Sequence, residues 1–196
     1  MLAMYDPFIR WYRESAATSV LAEQVEILAK HGIQLRHPAL GPVMVIDVEG
    51  NDVPVGQDEL DRLLALRIAS VNVNWWFSSD THLIDNYSYE PLGCEIQTFW
   101  LDHLSVEEVE KVEAAVTSAA AEIPTLTRAL IIDRRGICEP DDWNSLVLYD
   151  GQRVPGAPDR LIVQSQIASR ILQTPSTFMT EAIGSGMVEL TPHNPS

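Results

Sequence analysis

Val71-Asn72-Val73-Asn74-Trp75-Trp76-Phe77 is the stretch of sequence that decides the fold prediction, because its apolar and polar side chains largely alternate. Alternation with a period of two is typical of a half-buried strand. After a turn at residues 79–80, a second alternating run spans residues 83–89, and a third begins at residue 94. We therefore predict three sequential antiparallel strands, a meander, over about residues 69–101.

A helix over residues 105–122 is predicted directly after the meander. Ser105 and Glu108 match the capping-box pattern, in which the hydroxyl and the carboxylate each bond a backbone N–H that would otherwise lack a partner. Valine and alanine residues then recur at helical spacing until Pro124. A shorter helix is predicted over residues 57–67, where acidic residues at the start and a basic residue at the end suit the helix dipole.

The N-terminal region predicts a helix over residues 7–31, in one or two pieces. Asp6 and Pro7 are residue types preferred where a helix begins, and Gly32 suits the position after its end. A weak stretch at residues 16–19 separates an aromatic first part from a second periodic set.

Together these elements predict an α+β fold, with an antiparallel sheet of about five strands and helices packed on it. Apolar, β-branched runs add strands at residues 43–48 and 130–132. Weaker patterns predict a strand at residues 160–166 and a short helix at residues 175–183. We expect a single domain over residues 1–196, and the alternative is that residues 137–196 pack as a C-terminal lobe.

The charge of the chain is negative and regional. The formal net charge is −15, and residues 47–122 carry sixteen acidic residues against three basic ones. A negative field repels nucleic-acid phosphates and anionic lipids and attracts a basic protein. No secretory leader and no apolar run long enough to cross a bilayer is apparent, so a cytoplasmic location is expected.

Sequence motifs for catalysis and cofactor binding are missing. The chain has no G-x-G-x-x-G, Walker A, G-x-S-x-G, H-E-x-x-H or C-x-x-C pattern, so no cofactor is expected. The acidic and histidine residues between positions 80 and 103 lack a spacing that brings metal ligands together, so no metal is expected. Cys94 and Cys138 are expected to be free, partly buried thiols.

The meander offers a candidate binding surface. If only one face of the sheet is covered, one tryptophan of the pair at positions 75 and 76 must point away from the core. On the third strand, too, large apolar side chains occur on both faces, so some of them must point away from the core. Aromatic side chains among amides and acids are typical of protein interfaces. The predicted binding residues are Asn72, Asn74, Trp76, Glu95, Gln97 and Phe99. Helices that cover both faces of the sheet would bury these residues instead.

Three functional hypotheses follow from these observations. The leading one is a non-enzymatic acidic module that binds or inhibits a basic protein, for instance as an immunity-type inhibitor of a nuclease toxin. The alternative is a small hydrolase or transferase with a site around His82, Asp85 and His103. The third is a structural subunit of a larger assembly, which would expose a large apolar patch.

Overall fold

A computed structural model describes residues 5–15, 20–67, 70–90, 93–122, 127–173, 178–184 and 186–193. In these residues ten strands form one antiparallel sheet, so the prediction of about five strands is wrong, although the α+β class is confirmed. The strands are β1 (Phe8–Glu14), β2 (Val43–Ile46), β3 (Asp52–Val55), β4 (Val71–Trp76), β5 (His82–Glu90), β6 (Cys94–Trp100), β7 (Thr127–Asp133), β8 (Arg160–Gln164), β9 (Phe178–Gly184) and β10 (Met187–Pro192). Their order across the sheet is β3-β2-β4-β5-β6-β1-β7-β8-β10-β9.

Helices connect the strands and cover both faces of the sheet in part. Within the described ranges they are α1 (Leu21–Lys30), α2 (Gln57–Leu66), α3 (Val106–Glu122), a 3₁₀ helix (Pro140–Trp143), α4 (Asn144–Leu148) and α5 (Ser165–Gln173). The helices predicted over residues 57–67 and 105–122 are confirmed as α2 and α3, and the predicted meander is confirmed as β4, β5 and β6. None of the helices that the structure describes has the length and apolar character needed to cross a membrane.

The N-terminal element is the largest departure from the sequence prediction. Residues 8–14 form β1, a strand between β6 and β7, and only α1 remains of the helix predicted over residues 7–31. The weak stretch at residues 16–19 lies outside the described residues. Because β1 is paired on both edges and covered on both faces, its first six residues are all buried, and no apolar alternation marks it in the sequence.

Two apolar clusters lie on opposite faces of the sheet. On the front face α1, α2 and α3 pack over a cluster that includes Ile9, Trp75 and Phe99. On the back face the 3₁₀ helix, α4 and α5 pack over a second cluster that includes Phe8 and Ile96. Successive side chains of a strand point to opposite faces, so each strand contributes to both clusters.

The C-terminal part extends the same sheet. The predicted strand at residues 160–166 is β8, which gives way to α5 at residue 165. The prediction of a helix over residues 175–183 is wrong, because residues 178–184 form the edge strand β9. Residues 174–177 lie outside the described residues. Strands β8, β10 and β9 continue from β7 without a break in the ladder.

Candidate binding cleft

A row of polar side chains crosses the back face near the middle of the sheet. Asn72, Asn86, Thr98 and Arg10 are directly opposed in the registers of β4, β5, β6 and β1. Asn86 Nδ2 donates a hydrogen bond to Asn72 Oδ1 at 2.6 Å, and Arg10 Nη1 donates one to Thr98 Oγ1 at 3.1 Å. Directly opposed side chains on one face lie close together, so the register of four strands builds this row.

Arg10 is held inside the fold by its own hydrogen bonds. Its Nε donates to Tyr12 Oη at 2.9 Å, and its Nη2 donates to Asp141 Oδ1 at 2.7 Å and to Asn144 Oδ1 at 3.0 Å. The residue is buried, and the two acceptors on the 3₁₀ helix and α4 hold those elements against the sheet. Its guanidinium is therefore committed to internal contacts rather than available to an outside anion.

A cleft of about 340 Å³ opens beside Arg10 on the back face. The sheet forms its floor, and its walls are the N-terminal segment and the segment that begins the 3₁₀ helix. The N-terminal wall is anchored by a hydrogen bond from Tyr5 N to Gly136 O at 2.9 Å. The lining residues are Tyr5, Asp6, Arg10, Asn86, Thr98, Trp100, Glu139, Pro140 and Asp141.

The charge of the cleft is negative. Asp6 and Glu139 are exposed, and the side chain of Asp141 is 81 % exposed even though one of its oxygens binds Arg10. Trp100 is half-buried and adds an aromatic surface to the floor. Carboxylates bind a guanidinium or ammonium group through charge-assisted hydrogen bonds, and an indole binds it through a cation–π contact. The lining is therefore suited to a cationic side chain.

The six binding residues predicted from the sequence are divided between the two faces of the sheet. The register places Asn72, Asn74 and Trp76 on the back face, and Glu95, Gln97 and Phe99 on the front face. Phe99 belongs to the front apolar cluster and is not exposed. The structure therefore does not bring the six residues onto one surface. The back-face neighbours on β5 and β6 are instead Asn86, Thr98 and Trp100.

Trp76 points away from the front core but is covered by neighbouring side chains. Its ring lies 4.2 Å from the ring of His37 and 4.8 Å from the ring of His82, between centroids, and the residue is buried. Asn74 is also buried, and its Nδ2 donates a hydrogen bond to Asp52 Oδ1 at 2.7 Å. Trp76 Nε1 and Asn74 Oδ1 have no hydrogen-bond partner among the described residues.

Gln97 and Glu95 belong to a buried polar network on the front face. Arg13 Nε donates to Glu95 Oε2 at 3.0 Å, and Arg13 Nη1 donates to Gln97 Oε1 at 2.5 Å. Gln97 Nε2 in turn donates to Asp85 Oδ2 at 2.5 Å. Burial raises the pKa of Asp85 to about 7, against the lowering effect of the hydrogen bonds from Gln97 and Trp75. The polar groups of this network mainly bond one another, and Arg13 and Glu95 also line a cleft of about 240 Å³ beside α2.

The residues of the predicted catalytic alternative do not converge. Asp85 is fully buried on the front face, and His82 packs on Trp76 at the back face. The side chain of His103 is 94 % exposed in the turn before α3, where its Nε2 lies 3.1 Å from Asp102 Oδ2. None of the three side chains lines the four clefts of about 240–340 Å³ that described residues form beside Arg10, Arg13, Ala120 and Asp142. Acid–base chemistry needs its groups within hydrogen-bond reach of one substrate, so this trio lacks a shared site.

The described part of the chain contains neither a cluster of metal ligands nor an exposed thiol. There, no group of three or more His, Cys, Asp or Glu side chains is arranged to hold a metal ion. Both cysteines are free, as the sequence predicted, and both are buried rather than partly buried. Burial raises the pKa of Cys94 to about 11 and that of Cys138 to about 12, so both thiols stay protonated at neutral pH.

The residues of the cleft were missed because they come together only through strand register and the position of β1. One signal was present: residues 8–14 read Phe-Ile-Arg-Trp-Tyr-Arg-Glu, and as a strand this places Arg10 and Tyr12 on one face and Ile9 and Trp11 on the other.

Comparison of the chain with protein-family models, with curated proteins and with solved structures found no match.

Proposed function

We propose that this protein is a non-enzymatic acidic module that binds, and by binding inhibits, a basic protein, and that the back-face cleft receives a lysine or arginine side chain of that partner. The observation that carries the proposal is the lining of the cleft. Asp6, Glu139 and Asp141 face one space with Trp100, while Arg10 is occupied by internal hydrogen bonds.

The distribution of the remaining acids supports the same proposal. Of the sixteen acidic residues in residues 47–122, Asp85 and Glu95 are buried, and the other fourteen are exposed or half-buried. A surface with this excess of negative charge accelerates the encounter with a basic protein, and the effect weakens as salt is added. The surface charge would bring the partner to the protein, and the cleft would fix its position.

The proposal is tested with a defined basic probe. A fluorescein-labelled peptide of alternating arginine and glycine is titrated with the protein at 20 mM and at 300 mM salt, and binding is followed by anisotropy. We expect binding at low salt to weaken at least tenfold at high salt, and a peptide with glutamate in place of arginine should not bind.

A pair of charge-matched variants locates the binding site. Asp6→Asn with Glu139→Gln removes two negative charges from the cleft, and Glu107→Gln with Glu110→Gln removes two from the exposed side of α3. We expect the cleft variant to weaken binding about tenfold and the α3 variant to weaken it no more than about threefold. Equal effects of the two variants, or binding that is insensitive to salt, would refute the proposal.

A further inference from the structure

An apolar groove lies on the front face of the sheet, beside α3. It has a volume of about 270 Å³ and lies between the C-terminal half of α3 and the strands β8, β10 and β9. Small residues of the helix, Ala120 and Ala121, form one side, and Ile162, Ile183 and Met187 of the strands form the other. These side chains are aliphatic and line an open groove, which suits a few aliphatic side chains of a larger partner.

The groove occupies the next position in the front helical layer. In that layer α1 packs against α3, and Gln24 of α1 contacts the side chains of Tyr87 and Gln97 on β5 and β6. Helix α3 packs on β7. Helix α1 lies on one side of α3, and the groove lies on the other side, above β8, β10 and β9. A further helix lying along α3 would extend the layer over the rest of the sheet, and small residues such as Ala120 and Ala121 permit close approach of two helices.

The edge strand adds exposed apolar surface to the groove. Ile183 is 45 % exposed and Met179 is 49 % exposed, and both lie on the groove side of β9. The hydroxyl of Thr117, which lines the groove, is buried without a hydrogen-bond partner among the described residues. Exposed apolar residues grouped beside a groove are typical of an interaction surface.

The charges around the groove are acidic. Glu122 at the end of α3 and Glu181 on β9 are exposed. Arg160, the basic residue of the lining, donates two hydrogen bonds of 2.7 Å to Glu189 and also lies 3.6 Å from Glu113. Its charge is therefore compensated, and the groove has an apolar floor and a negative rim.

We propose that this groove docks an amphipathic helix of a partner protein, with leucine-like side chains against Ala121 and Ile183 and lysine or arginine side chains beside Glu122 and Glu181. Helix-in-groove recognition uses this combination of an apolar stripe and flanking charge. The groove and the cleft lie on opposite faces of the sheet, so this second surface does not depend on the function proposed for the cleft.

The test uses a synthetic 16-residue peptide with leucine at positions i, i+3, i+4 and i+7 and lysine elsewhere, together with a scrambled peptide of the same composition. Ala121→Arg places a positive charge in the groove, and Ala114→Arg places the same charge at an exposed position of α3 outside it. We expect the patterned peptide to bind at least tenfold more tightly than the scrambled one. Ala121→Arg should weaken this binding at least tenfold, and Ala114→Arg should change it less than threefold.

Equal affinity for the two peptides, or equal effects of the two variants, would overturn the proposal. Self-association in light scattering that Ala121→Arg abolishes would also overturn it, because a second copy of the chain would then be the occupant. The variant Asp6→Asn with Glu139→Gln should retain the patterned peptide, and loss of binding there would place the peptide in the cleft instead. Thermal denaturation of each variant confirms that it is folded.

Discussion

Asp85→Asn is expected to stabilise the protein at alkaline pH. Trp75 Nε1 and Gln97 Nε2 donate hydrogen bonds to the same oxygen of Asp85, Oδ2, while Oδ1 is buried without a partner among the described residues. An asparagine can keep its carbonyl oxygen at the Oδ2 position and accept both bonds. The substitution therefore removes a buried charge and leaves the two donors satisfied.

The magnitude follows from the pKa of Asp85. Burial raises this pKa from 3.8 to about 7 in the native state, whereas the unfolded chain keeps a value near 3.8. Between these two values the native state binds the proton and the unfolded state has lost it, so the free energy of unfolding falls as pH rises. At about 1.4 kcal/mol per pKa unit, the loss is complete above pH 7 at about 4 kcal/mol.

Urea denaturation followed by tryptophan fluorescence between pH 4 and pH 9 measures this effect. The variant and the parent should have similar free energies of unfolding at pH 4. By pH 8 the parent should be less stable than the variant by up to about 4 kcal/mol. Glu110→Gln, which changes an exposed carboxylate of α3, should leave the parent's pH profile unchanged. A variant that is less stable than the parent at pH 8, or a difference that does not vary with pH, would refute the reasoning.

Three further perturbations test other parts of the fold. Arg13→Met should lower the free energy of unfolding by about 3 kcal/mol in urea, because the buried Glu95 loses its 3.0 Å partner and is left with Arg67, whose Nη2 lies 3.6 Å away. Adding Glu95→Gln should recover part of this loss, and additive losses would contradict the reasoning. Gly136→Ala should lower the Tm by several degrees, because Gly136 has a φ of 58° and a Cβ there would collide with the backbone carbonyl of Tyr5. An unchanged Tm would argue against that contact. Cys94 and Cys138 should react with a thiol reagent at pH 8 only after denaturant is added, and rapid labelling of the native protein would show that the thiols are accessible.

The meander and the helix after it were predictable because their local signals agree with their surroundings. β4 and β5 each have one face toward the front core, so apolar residues alternate along them. The capping box at the start of α3 is present as predicted: Ser105 N donates to Glu108 Oε2 at 2.8 Å, and Glu108 N donates to Ser105 Oγ at 3.3 Å. Periodicity and capping are local properties, and a sequence displays both.

The sheet size was underestimated because several strands lack such signals. β1 is buried on both faces and contains two arginines whose partners, such as Asp141 and Glu95, lie far along the chain. β9 is an edge strand that is largely exposed, so no apolar stripe distinguishes it from a short amphipathic helix. Long-range pairing decided the structure of both segments against the local preference.

The candidate cleft was beyond sequence analysis for a related reason. Alternation correctly separated Trp75 from Trp76, but it does not say which residues of β6 share the face of Trp76. That answer depends on the register between β5 and β6, in which Asn86 opposes Thr98. A shift of one residue would have placed Gln97 and Phe99 on the same face as Asn72 instead.

The position of β1 also bears on how the chain folds. Phe8 pairs with Trp100 on one side and with Asp133 on the other, so β1, the first of the ten described strands along the chain, has both of its neighbours only once residues 94–133 have been synthesised. Proteins dominated by such distant pairings fold in about milliseconds to seconds rather than in microseconds, because closing long loops costs entropy before contacts form. Until residue 133 has emerged from the ribosome, β1 cannot pair with both of its native neighbours, and its apolar side chains add to the surface through which the chain can aggregate.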